Sequence, residues 1–116
     1  MKHQKGHKKL SKPTDQRLAL IKNLAVALVD NNKIITTQTR AKQTQRFIEQ
    51  LITKSKVDSV ANRRYVFSKV NNKNFLNKVF EIAKNYKDRN GGYTKLINIG
   101  FRKGDSATLS LIEFVN

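Results

Sequence analysis

Eight carboxylates, two histidines and a large set of cations are the side chains with which this 116-residue chain can do chemistry. The acids are Asp15, Asp30, Glu49, Asp58, Glu81, Asp88, Asp105 and Glu113. Catalysis needs titratable groups that converge on one point. These eight are scattered, mostly beside basic residues or at the expected ends of elements, so they read as helix caps and surface ion pairs. An enzyme cutting RNA would need two of them, such as Asp58 and Asp105, to act together. His3 and His7 stand four apart, but a zinc site takes at least three protein ligands, and no helix fixes this pair. Cysteine is absent, which removes disulfides, thiolate metal sites and a thiol nucleophile. Neither RNGG (89–92) nor RKGDS (102–106) fits GxxxxGK[ST] or GxGxxG, so no phosphate loop is present. The expectation is a protein without catalytic residues, metal, cofactor or small-molecule substrate.

The cations say more. Lysine and arginine number 24 against 8 acids, for a net charge of +16. Self-repulsion at that density opposes a compact free state, and an anionic partner relieves it. Nucleic acid is the first candidate and an acidic membrane surface the second. No apolar run approaches the roughly 20 residues that span a bilayer, and no membrane partner is expected. The first 13 residues carry Lys2, His3, Lys5, His7, Lys8, Lys9 and Lys12 with no acid. Spaced by Gln4, Gly6 and Ser11, these charges suit a slim chain laid along a phosphate backbone. The same stretch has no apolar segment of signal-peptide length and no arginine-rich amphipathic pattern, which points to the cytoplasm. Further cations recur on the body: Arg17, Arg40, Lys42 and Arg46, then Arg63 and Arg64, then Arg89, Lys95, Arg102 and Lys103. Charge spread over an arm, several helices and two turns suits a protein set among several RNA segments. A DNA reader concentrates charge on one helix or stripe. A nucleoid-type DNA-binding protein is the alternative, and a merely solvated basic surface the plainest one.

The elements that must carry these residues follow from periodicity. Pro13 separates an extended arm (1–13) from a single domain (14–116). Thr14 is the expected N-cap, with Asp15 in the first turn. DQRLALIKNLAVALVDNN then places Leu18, Ile21, Leu24, Ala25 and Leu28 on one helical stripe. KIITT (33–37) reads as a short strand. Thr37 or Thr39 caps a second helix with Ala41, Ile48, Leu51 and Ile52 inward. Asp58 or Ser59 caps a third, with Val60, Phe67 and Val70 in register, and Phe75, Leu76, Val79, Phe80 and Ala83 mark a fourth ending near Lys87. After RNGG the period becomes two, with Tyr93, Lys95, Ile97, Ile99 and Phe101 on one side of a strand. Its partner is TLSLIEFV. The expected fold is α+β: about four helices packed on one face of a small mixed sheet, with a strand near 33–37 and a C-terminal hairpin over 93–102 and 108–115. The phenylalanines fall on apolar stripes and read as core. Tyr65 and Tyr93 are the aromatics left to stack on bases.

Four ordered stretches carry a resemblance. KHQKGHKKLSKPTDQR, IITTQTRAK, FIEQLITKSKVDSVANRR and RNGGYTKLINIGFRKGDSATLSLIEFV together resemble the bacterial large-subunit ribosomal protein family numbered seventeen, almost end to end. Lys2 stands where many relatives have arginine, Gln16 where a histidine is frequent, and Lys95 where an arginine is frequent. The resemblance implies a structural constituent of the large ribosomal subunit of a bacterial ribosome. It implies binding to ribosomal RNA near the exit of the peptide tunnel, beside small ribosomal proteins. The arm cations, Arg17, Arg40, Lys42, Arg63, Arg64, Arg89, Lys95 and Arg102 would then contact RNA. The arm is expected to become ordered when it binds, offsetting a cost of roughly 1–2 kcal/mol per residue.

Overall fold

The computed structural model describes residues 14–115. The extended arm and the contacts expected of Lys2, His3, Lys5, His7, Lys8, Lys9 and Lys12 lie outside the described residues. Helix α1 spans Thr14–Asn31 and buries Ile21, Ala25, Leu28 and Val29, an i, i+4, i+7, i+8 stripe. Thr14, expected as a cap, is already helical, while Asp15 does sit in the first turn. Leu18, expected on the inner stripe, is half exposed, because the stripe turns away from the core one turn before Ile21. The helix stops at Asn32, which adopts a left-handed φ of 66° and donates its N–H to the Leu28 carbonyl at 2.7 Å.

Strand β1 (Lys33–Thr37) runs directly into helix α2 (Gln38–Ser55). Thr37 occupies the N-cap position without a side-chain cap bond. This helix is the axis of the molecule and touches every other helix and all three strands. Its inner face holds Ala41, Ile48, Leu51 and Ile52, as the spacing requires, together with Thr44 and Ser55. The two buried hydroxyls are satisfied within the helix: Thr44 Oγ1 donates to the Arg40 carbonyl (2.8 Å) and Ser55 Oγ to that of Leu51 (2.7 Å).

Helix α3 (Val60–Lys69) is capped by Ser59, whose hydroxyl accepts from Asn62 N–H at 3.2 Å. Its core contact is not the expected Val60/Phe67 register. Val66 is buried and Val70 follows it at i+4, while Val60 is 66% exposed and Phe67 half-buried. A ten-residue helix has room to commit one narrow edge to the core, and Val66/Val70 form that edge. Helix α4 (Lys73–Ala83) begins at Asn72, whose side chain accepts from Phe75 N–H at 3.0 Å. It buries Phe75, Val79, Phe80 and Ala83 and tightens into a 3₁₀ turn over Lys84–Tyr86.

Strands β2 (Thr94–Phe101) and β3 (Thr108–Phe114) complete a sheet of order β1-β3-β2. The sheet is wholly antiparallel rather than mixed, because β1 also pairs antiparallel to β3, with Ile35 opposite Leu111. The α+β architecture stands. One face of the sheet, with Ile112 and Ser110 buried, packs on the helices. The other carries the row Ile35–Leu111–Ile97 and is open, Ile35 being 61% exposed.

Two departures break the expected alternation of β2. Tyr93 does not share the outward side of Lys95 but is fully buried. Gly92, at φ +63°, turns the chain inward before it. The Tyr93 hydroxyl meets Thr53 Oγ1 at 3.0 Å, and its ring lies 5.2 Å from that of Tyr86. A fully buried ring cannot stack on a base, so that reading of Tyr93 is removed. At the far end, the pairing slips between Asn98 and Gly100, leaving Ile99 as a bulge. Phe101 therefore pairs with Thr108 and is shifted out of the Ile97 row. It is also not core: it is 73% exposed.

Candidate nucleic-acid interface

What the carboxylates do decides which cations are available. Asp58 holds Arg63 through both oxygens (2.5 and 2.8 Å), and Asp105 holds Arg102 in the same way (3.1 and 2.5 Å). Asp30 pairs with Lys78 at 2.6 Å, Glu81 with Lys84 at 3.2 Å and Glu113 with Lys95 at 3.0 Å. Glu49 is spent inside, accepting from both the N–H (3.2 Å) and the hydroxyl (3.0 Å) of Thr94. Arg63 lies five residues beyond Asp58, and Lys95 and Glu113 are cross-strand partners, so these pairs follow from local spacing or from register. The forked bonds set the titration of these groups. The Arg102 guanidinium, assisted by the Ala107 N–H, holds Asp105 down to about 2. The Arg63 guanidinium likewise lowers Asp58, and the Arg63 pKa rises in turn through its bond to Asp58.

The expected site residues divide accordingly. Arg63, Lys95 and Arg102 have carboxylate partners, and Arg63 also lies 4.7 Å from the Phe80 ring centre. Arg17, Arg40, Lys42, Arg46, Arg64, Arg89 and Lys103 have none among the described residues. Arg89 instead donates Nε to the Gly91 carbonyl at 3.3 Å, while Lys56 reaches the Arg89 carbonyl. These bonds brace the turn before Tyr93.

Helices α1 and α2 bring two of the unpaired arginines together. Arg17 and Arg46, 29 residues apart, line one cleft of about 270 Å³. Leu18, Ile21 and Phe47 give it an apolar floor, and Lys22, Gln43 and Gln50 complete the wall. Three cations and two amides face this space with no carboxylate among the lining residues. Such a set donates to anionic oxygens from several directions. The planar guanidinium forks suit phosphate geometry, and the lysine adds a point charge. The cleft also explains Leu18, whose exposed side chain lines it. Lys22, Gln43 and Gln50 line the cleft and are not among the residues expected from the sequence. Gln43 and Gln50 are legible on a helical wheel, since they flank Arg46 at i−3 and i+4, but only the packing of α1 on α2 adds Lys22.

The remaining cations do not join this cleft. Arg64 and Lys73, with the paired Arg63, rim an apolar groove of about 530 Å³ between α3 and α4, floored by Val60, Phe67 and Leu76. Tyr65 is covered on its ring by Lys54 and Lys69, at 5.1 and 5.4 Å. Arg40 and Lys42 stand near the start of α2, at the end of the sheet where Thr37 pairs with Leu109. That is also the end from which the β2–β3 turn, with Lys103, projects.

Among the described residues no group of three or more His, Cys, Asp or Glu is placed to hold a metal, and no helix is long and apolar enough to cross a membrane. The fold and this surface define a class: a small, strongly basic α+β protein, six of whose eight acids are tied into ion pairs or the α2–β2 junction. Comparison with known proteins makes the class specific. The family model described as "Ribosomal protein L17" matches residues 20–115. The chain is 49% identical to the "Large ribosomal subunit protein bL17" of Dictyoglomus turgidum over 116 residues, covering 99% of this chain and 100% of that protein. Proteins of the same name from Dictyoglomus thermophilum and Wolinella succinogenes are each 48% identical over the same length, with the same coverage. The chain belongs to the ribosomal protein L17 family, a family of structural proteins of the ribosome and not of enzymes.

Proposed function

We propose that this protein is a structural constituent of the large subunit of a bacterial, cytoplasmic ribosome. In this reading it binds large-subunit ribosomal RNA near the exit of the peptide tunnel, beside small ribosomal proteins. The observation that carries RNA binding is the division of charge. Six of the eight carboxylates, all but Asp15 and Asp88, are tied into ion pairs or the α2–β2 junction, while no acid is among the residues lining the Arg17/Lys22/Arg46 cleft. The tunnel-exit position rests on family membership alone.

The mechanism is electrostatic positioning. Phosphates entering the cleft displace condensed counterions, which gives a salt-dependent gain without reading base sequence. The cations at the start of α2 (Arg40, Lys42), on α3 (Arg63, Arg64) and in the two turns (Arg89, Lys95, Arg102, Lys103) extend the footprint. Arg63, Lys95 and Arg102 remain half exposed in their pairs, so each cation can reach a phosphate while keeping its carboxylate. The first thirteen residues, with Lys2, His3, Lys5, His7, Lys8, Lys9 and Lys12, add a second cationic stretch that in sequence precedes Arg17.

The test is binding of the full chain to large-subunit rRNA and to duplex DNA of equal length at about 0.15 M salt, where weak surface attraction is already screened. Preference for the structured rRNA supports the proposal. Equal affinity for the two supports a general DNA-binding protein instead.

A further inference from the structure

We infer that Phe101 is a stacking platform for an unpaired RNA base, held out by the β2–β3 turn; the inference rests on the rRNA-binding reading above. A phenylalanine ring that is 73% exposed is the most solvated large apolar side chain in the described body. Its position is built. The bulge at Ile99, with Gly100 at φ +123°, moves Phe101 out of the sheet's open row and pairs it with Thr108 at the last rung of the ladder. Bulges of this kind re-aim a side chain at a sheet's rim.

The turn beyond it is braced on both sides. Arg102 N–H donates to the Ala107 carbonyl (2.8 Å), Ser106 N–H to the Arg102 carbonyl (3.0 Å), and the Arg102–Asp105 fork closes the loop. A braced loop presents its aromatic ring at little further cost in conformational entropy. The charge around it favours a polyanion over an apolar protein surface. Asp105 is the acid of this turn and is already taken by Arg102, which leaves Lys103 without a carboxylate partner among the described residues. Arg40 and Lys42 stand at the same end of the sheet, because Thr37, just before α2, pairs with Leu109 beside the Gly100 and Phe101 rungs. An exposed ring at a sheet end that also carries cations from two separate segments suits single-stranded nucleic acid: the ring takes a base face and the cations take phosphates.

The chain contains no tryptophan, so Phe101→Trp introduces a single fluorescent reporter at the proposed contact. Full-length protein is titrated with large-subunit rRNA while retention of labelled RNA is followed in parallel. The expected result is quenching of the introduced indole's emission along the binding curve. Phe101→Tyr should bind as the parent does. Phe101→Leu, which keeps apolar bulk but has no π face, should bind roughly tenfold more weakly. Its salt dependence should be unchanged, whereas Lys103→Ala lowers the salt slope by about one. Urea midpoints of all four variants should match the parent, since these side chains are on the surface. Retention of RNA without quenching, or parental binding by Phe101→Leu, overturns the stacking proposal and leaves rRNA binding standing. A blue shift seen only on adding ribosomal proteins would overturn it in favour of a protein partner. Failure of the parent chain to retain rRNA would overturn both.

Discussion

The two ends of strand β2 use the same kinds of residue to opposite purposes. At its start, Tyr93 and Thr94 are buried and tied to α2: Thr53 meets the phenol, Glu49 takes the Thr94 N–H and hydroxyl, and the Gln45 amide reaches the Thr94 carbonyl at 3.3 Å. The Tyr93 carbonyl accepts from Val115 N–H at 2.9 Å. At its end, Phe101 is in water and Lys103 has no carboxylate partner among the described residues. The first end holds sheet to helices; the second holds nothing within the described body. The α1–α2 cleft belongs with the second end, for no carboxylate lines it. Six of the eight acids are tied into ion pairs or the α2–β2 junction. In the proposed function the cations left without acids await a polyanion, which relieves the self-repulsion of a chain with net charge +16.

Breaking the first end should have the largest effect. Tyr93→Ala removes a fully buried ring, and urea unfolding should report a loss of about 3–5 kcal/mol. Glu49→Ala comes next. It strands two Thr94 donors in a part-buried site and should cost roughly 1–3 kcal/mol by the same measurement. Both variants should keep parental RNA affinity per folded molecule. The cleft should behave the other way. Arg46→Gln should change stability by less than about 0.5 kcal/mol. It should lower the slope of log K against log salt for rRNA by about one, in filter-binding titrations.

The smallest effect lies in the β2–β3 turn. Asp105 is held at about 2, below its ordinary 3.8, so its bond to Arg102 contributes fully above that ordinary value and is lost as pH falls towards 2. Carboxyl NMR should show Asp105 titrating near pH 2 in the parent. In Arg102→Ala its midpoint should move up towards the ordinary value. An unmoved midpoint would mean that Arg102 does not engage Asp105 and is free for RNA.

Much of this is legible in the residues. The stripes of α2 and α4 are strong because their apolar positions recur over three turns with polar neighbours, and nearly all of those positions are buried. The strand KIITT and the C-terminal hairpin follow from β-branching and turn residues. The α3 register fails because a short helix with valine or phenylalanine on two sides offers two stripes, and the choice between them is tertiary. Phe101 escapes a straight reading because simple alternation runs through Gly100 without a break. A glycine inside a strand pattern is itself a bulge signal, and here it changes the side of every later residue. The site is legible as a list of cations and not as a place. Local spacing brings Asp58 within reach of Arg63 and Asp105 within reach of Arg102, but nothing in it says that Arg17 and Arg46, on different helices, share an acid-free cleft.

The central claim is that this cleft binds RNA through its phosphates. It is tested most directly by the salt dependence of rRNA binding for the parent chain and for Arg17→Gln/Lys22→Gln/Arg46→Gln. A fall in slope of about two to three, at an unchanged urea midpoint, is the predicted result. An unchanged slope would show that the cleft is a solvated surface and that rRNA is held elsewhere.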